Sequence, residues 1–131
     1  MKKIRIVYYL STGLLTLLML FSASMYFFNY EEVATMFTDF GYPTYIIYPY
    51  AVLKLLGLVV IWYPKFKSLK EWAYAGFFFA FILAFFAHYM IDDGEHYPAF
   101  MALFLLLLSY FSNKTLKKTT YNEENISLCR K

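Results

Sequence analysis

Polar residues interrupt this chain at a few places only, and the apolar stretches between them are four in number. The first runs from Ile6 to Phe28, long enough at 1.5 Å per residue to match a hydrocarbon core of ~30 Å. Tyr45 to Tyr63 and Trp72 to Met90 are of similar length. The fourth, Ala99 to Phe111, is short for a crossing, so its helix is expected to continue toward Leu116 with Lys114, Lys117 and Lys118 snorkelling to the interface. Between the first two stretches, Val33, Met36, Phe37 and Phe40 recur at helical spacing while Glu31, Glu32, Thr35 and Asp39 fall on other faces. This pattern predicts a short amphipathic helix on the outer surface.

Breakers mark the ends of these elements. Gly41-Tyr42-Pro43 closes the amphipathic helix, because Gly suits a helix C-terminus and the residue before Pro is pushed away from helical angles. Pro49 falls in the first turns of the second span, Pro64 stops it, and Asp92-Asp93-Gly94 forms the next turn. Pro98 suits the first residue of the fourth span, where a missing N–H costs least. Short connections predict an antiparallel bundle of four transmembrane helices over residues 1–118, followed by an irregular polar tail, 119–131.

Charge adds orientation. Lys2, Lys3 and Arg5 precede the first span; Glu31, Glu32 and Asp39 follow it; Lys65, Lys67 and Lys70 follow the second; Asp92, Asp93 and Glu95 follow the third; and Lys114, Lys117 and Lys118 follow the fourth. Since short Lys/Arg-rich segments stay cytoplasmic, the blocks agree on both termini inside and both acidic loops outside. Lys2, Lys3, Arg5 and the run to Ser22-Ala23-Ser24 also resemble a signal peptide, although the apolar run is longer than such segments use. Trp62, Tyr63, Trp72 and Tyr74 are expected in an inner aromatic belt, and Tyr42, Tyr45, Tyr48, Tyr89 and Tyr97 in an outer one.

Composition agrees: 61% of the 131 residues are hydrophobic, 24% aromatic and only 16% charged, far from a soluble domain of this length. The net charge of +3 is spread over segments sharing one membrane face, so nucleic acid is not implied. Cys129 is the only cysteine, which excludes a disulfide within the chain.

Few residues offer chemistry. Lys54 lies mid-span, where an ionisable group costs at least ~2.5 to 3.5 kcal/mol unless something meets it. Ala51 and Gly57, three residues to either side, turn its face toward neighbouring helices. It is either an anchor for a ligand headgroup, a quinone carbonyl or a coupled proton, or half of an ion pair with Glu71, with Tyr8, Tyr9 or Ser109 or a water between them. Glu71 also suits the positive end of a helix dipole. Gly76, Ala80, Ala84 and His88 repeat every fourth residue, a small-residue seam that points His88 inward. His88, Asp92, Asp93, Glu95 and His96 lack the spacing of a metal site, and no metal is expected. Phosphate loops and nucleophile elbows are absent.

Gly41-Tyr42-Pro43, the run Ala51 to Gly57, Lys70-Glu71-Trp72-Ala73-Tyr74-Ala75-Gly76-Phe77, Ala87-His88 and Ser109-Tyr110 together resemble the DoxX-like family of small four-helix bacterial membrane proteins, over most of residues 10 to 112. The resemblance implies a cytoplasmic (inner) membrane location and an interior shared by Lys54, Glu71 and His88 as candidate ligand-binding residues. It further implies an accessory or redox-linked subunit that binds a quinone- or lipid-like molecule, with a partner subunit or homo-oligomer. The other class is a non-enzymatic scaffold or permeation component whose buried polar residues are structural. The lack of paired cysteines argues against thiol redox chemistry.

Overall fold

A computed structural model describes residues 2–63, 65–94 and 96–131. The expected stop at Pro64 and the contribution of Glu95 to the acidic loop lie outside the described residues. Among those described, every regular element is helical: α1 (Lys2–Phe28), α2 (Tyr30–Asp39), a 3-10 turn (Thr44–Ile46), α3 (Ile47–Trp62), α4 (Lys67–Ile91) and α5 (His96–Cys129). Four segments are long and apolar enough to cross a membrane: α1, Thr44–Trp62, α4 and α5.

Each helix ends for a local reason. At the end of α2, Gly41 adopts φ +81°, its N–H bonds Thr38 O at 3.0 Å, and the Tyr42 N–H reaches back to Phe37 O at 2.8 Å. That paired return is the Schellman closure, which needs a residue tolerant of positive φ. Pro43 then opens the 3-10 turn in an extended conformation. Pro49 is the third residue of α3, among the N–H groups that have no intrahelical partner anyway. At the end of α4, Asp92 takes a left-handed φ of 52° and Gly94 one of 78°. Helix α5 starts at His96, two residues ahead of the start expected at Pro98.

The helices form a bundle in which α1 packs on α3 and α5, and α4 packs on the same two. Leu15 and Met19 of α1, Leu58 and Ile61 of α3, Phe77 and Phe81 of α4, and Leu106 of α5 meet in its core. Val33 and Phe37 of α2 bury against Ile47 in a second cluster, while Glu31, Glu32 and Asp39 stay exposed. Outward positions such as Leu17, Phe21, Leu53, Val59 and Leu83 are large, apolar and exposed, which is stable only in lipid.

Three expectations are corrected. The inward stripe of α4 is Lys70, Tyr74, Phe77 and Phe81, whereas Gly76 of the small-residue seam is exposed. The close approach is made instead by Gly57 on α3, where an added Cβ would lie 2.6 Å from Phe77 Cζ. Tyr74 is in the core rather than in an aromatic belt, although Trp62, Tyr63 and Trp72 are exposed as a belt requires. Residues expected to form an irregular tail continue α5 as a helical extension, exposed at every position from 120 to 131. Their sequence holds no Gly or Pro, so nothing stops the helix once α5 has nucleated it.

Candidate functional site

The bundle contains two buried ammonium groups, and neither meets a carboxylate among the described residues. Lys54 is 6% exposed. Its Nζ donates to Ser22 Oγ at 2.8 Å and lies 4.1 Å and 4.6 Å from the ring centres of Tyr26 and Tyr50. Two aromatic faces and a hydroxyl therefore solvate the cation from α1 and from the preceding turn of α3. Ser22 and the buried Ala23, which as a sequence could also mark a cleavage site, form part of this helix contact.

The expected Lys54–Glu71 pair does not form. Side chains on a helix lean toward its N-terminus, so Lys54 extends back to Tyr50, whereas Glu71 lies in the second turn of α4, not in the first as a helix-dipole role would need, and α4 follows the C-terminal end of α3. The two point to opposite ends of the bundle, and Ser22, Tyr26 and Tyr50 take the place proposed for Tyr8, Tyr9, Ser109 or water.

Tyr8 serves the second cation instead, and Ser109 a hydroxyl cluster next to it. Lys70, 7% exposed, donates to Tyr8 OH at 3.1 Å and to Asn113 Oδ1 at 3.4 Å. One turn deeper, Ser109 Oγ is 2.6 Å from Thr12 Oγ1 and 2.7 Å from Tyr74 OH, tying α1, α4 and α5 together. The apolar core of Leu15, Met19, Phe77 and Leu106 separates this layer from Lys54. Lys70 stands among the loop charges by its position, yet it falls in phase with Tyr74, Phe77 and Phe81 on the buried stripe of α4, a signal present in the sequence.

His88 belongs to neither layer. Its Nδ1 is 2.7 Å from Asp93 Oδ2, and its ring meets Phe40 edge-on at 4.8 Å between centres. It fastens the end of α4 to the turn after it and to the residue capping α2. Nearby, His96 Nδ1 is buried without a hydrogen-bond partner among the described residues, enclosed by Phe85 and Tyr89. The described residues hold no group of three or more His, Cys, Asp or Glu that could ligate a metal.

The structure thus keeps Lys54, Glu71 and His88 apart. Glu71 lines a recess, a groove of about 290 Å³ between α4 and α5. Glu71 and Tyr110 mark one end, Tyr74 forms part of the wall, and Phe78, Phe79 and Leu107 line the remainder. A recess with one carboxylate end and an aromatic, apolar body can hold an amphiphile lengthwise.

No curated protein and no solved structure matches this chain. The family model described as DoxX-like matches residues 10–111, which takes in α3, α4, most of α1, the first half of α5, both buried lysines and the groove. By that match the chain belongs to the DoxX-like family of integral membrane proteins.

Proposed function

We propose that this membrane protein is an accessory or redox-linked subunit of a bacterial inner-membrane assembly that binds a quinone- or lipid-like molecule in the groove between α4 and α5. The observation that carries this reading is the polarity of the groove, with its acid at one end and rings and leucines along its length. Successive spans run antiparallel, both termini and the Lys70 layer lie on the cytoplasmic side, and α2 rests on the outer surface; the five charge blocks support this topology. Of the three candidate residues, Glu71 is assigned to the ligand, Lys54 to holding α3 against α1, and His88 to holding the outer turn.

Ala75 faces the groove and is exposed, so Ala75→Trp fills the groove without entering the core. Native mass spectrometry of the parent should show a retained amphiphile that this variant lacks. Equal retention by both would remove the groove from the account.

A second reading is favoured by a different observation. The side chains of Leu15, Ile61 and Leu106 fill the bundle, and both lysines are satisfied internally, as in a scaffold whose polar layers fix helix register. Under it, no amphiphile is retained, and a partner subunit or a second copy co-purifies.

A further inference from the structure

The Glu71 end of the α4–α5 groove has a charge of opposite sign just beyond its lining. Glu71 lines it from α4 and Tyr110 from α5. One turn beyond Tyr110, Lys114 holds its Nζ 5.1 Å from the centre of the Tyr110 ring, within electrostatic reach of the Glu71 carboxylate. Among the described residues no direct ion pair joins Glu71 and Lys114. An acid and a base therefore flank one aromatic face, each with donor or acceptor capacity left over. From Glu71 to Phe79 the wall extends ~12 Å at 1.5 Å per residue, and beyond Glu71 it is aromatic or aliphatic.

This inventory discriminates between headgroups. An ionised carboxylate only accepts hydrogen bonds, and the Tyr74 hydroxyl is committed to Ser109 at 2.7 Å. A quinone, whose ring oxygens are acceptors, leaves Glu71 facing like polarity. An anionic headgroup satisfies Lys114 but is repelled by Glu71. A headgroup with both an ammonium and a phosphate satisfies the pair together: the ammonium donates to Glu71 and lies near the Tyr110 face, and the phosphate accepts from Lys114.

We infer that the groove's occupant is a zwitterionic phospholipid of the phosphoethanolamine class, held by its ammonium at Glu71 and its phosphate at Lys114. The inference rests on the reading of the groove as an amphiphile site and names the class of ligand.

The test is native mass spectrometry of the full chain in detergent, titrated separately with a phosphoethanolamine lipid, a phosphoglycerol lipid and a short-chain ubiquinone. The parent should retain the phosphoethanolamine lipid best. Glu71→Gln should weaken that lipid about tenfold, the worth of one charge-assisted hydrogen bond, and leave the phosphoglycerol lipid unchanged or tighter. Lys114→Gln should weaken both phospholipids. Thermal unfolding should find each variant as stable as the parent, so that lost binding is not lost fold. Preferential retention of the quinone or the phosphoglycerol lipid, removed by Ala75→Trp, would overturn the headgroup and spare the groove. Retention that Ala75→Trp leaves untouched would overturn both.

Discussion

Gly57 of α3 and Phe77 of α4 are in such close contact that a methyl group on Gly57 would come within 2.6 Å of Phe77 Cζ. Phe77 has no easy retreat, since it is buried and stacked on Phe81 with ring centres 6.0 Å apart. Gly57→Ala gains up to ~1 kcal/mol of helix propensity but overpacks the α3–α4 contact, at a cost of ~1 to 3 kcal/mol. The expected net result is a lower melting temperature in detergent, restored by adding Phe77→Leu. A single variant more stable than the parent would show that the ring yields.

Lys54 and Ser22 make an unequal pair. Lys54→Met removes a buried charge along with its partner's only role toward it, so stability should stay within ~1 kcal/mol of the parent or rise. Ser22→Ala leaves the ammonium buried with one hydrogen bond fewer and should cost ~1 to 3 kcal/mol. Because Glu71 is remote from Lys54, Lys54→Met and Glu71→Gln should be additive within ~0.5 kcal/mol. Rescue of one by the other in thermal unfolding would restore the ion pair that the geometry excludes.

The spans were legible in the sequence because the membrane imposes one requirement on every residue of a crossing segment, and a run of some 20 apolar residues meets it whatever its neighbours. The partner of Lys54 was not legible in the same way. Spacing placed it correctly on an inward face beside the buried Ala51, but the choice of Ser22, Tyr26 and Tyr50 over Glu71 depends on which way the side chain leans along its helix. Lys70 and Tyr74 illustrate a second limit. Near the end of a span, a lysine or tyrosine suits the lipid interface as well as the core, and only continuation of the 70, 74, 77, 81 stripe separates the two. Glu71 was singled out for its position, whereas its groove exists only once α5 lies alongside α4.

Ser109 is the hub of the second polar layer, so the cost of removing it should exceed that of removing a spoke. Ser109→Ala takes from Thr12 and Tyr74 the hydroxyl they share, leaving them to each other and to Tyr8, and should cost ~1.5 to 3 kcal/mol. Tyr74→Phe removes one bond and leaves Thr12–Ser109 intact, for ~0.5 to 1.5 kcal/mol. Equal losses in detergent unfolding would mean that Ser109 is not shared.

The exposed end of α5 is expected to fray. Residues 120–131 bury nothing, and an isolated helix of that length is marginal in water. Amides there should exchange orders of magnitude faster than those around Leu106 and Ser109, and a protease should trim the chain back to the neighbourhood of Lys118 without altering the remaining bundle. Protection of Tyr121 or Ile126 in the isolated protein would contradict this.

The bond between Thr12 and Ser109 spans 97 positions of the chain. A membrane protein is synthesised from its first helix onward, so α1 must enter the bilayer while the serine that will satisfy it has not yet been made. Until then the Thr12 hydroxyl must make do with its own helix, its backbone and Tyr8, and Lys70, once inserted, has Tyr8 but not Asn113. The last span is therefore the latch of the assembly: a ribosome stalled before Ser109 would leave three helices in the membrane with the polar groups of the Lys70 layer only half matched, a species that membrane quality control could recognise by that defect.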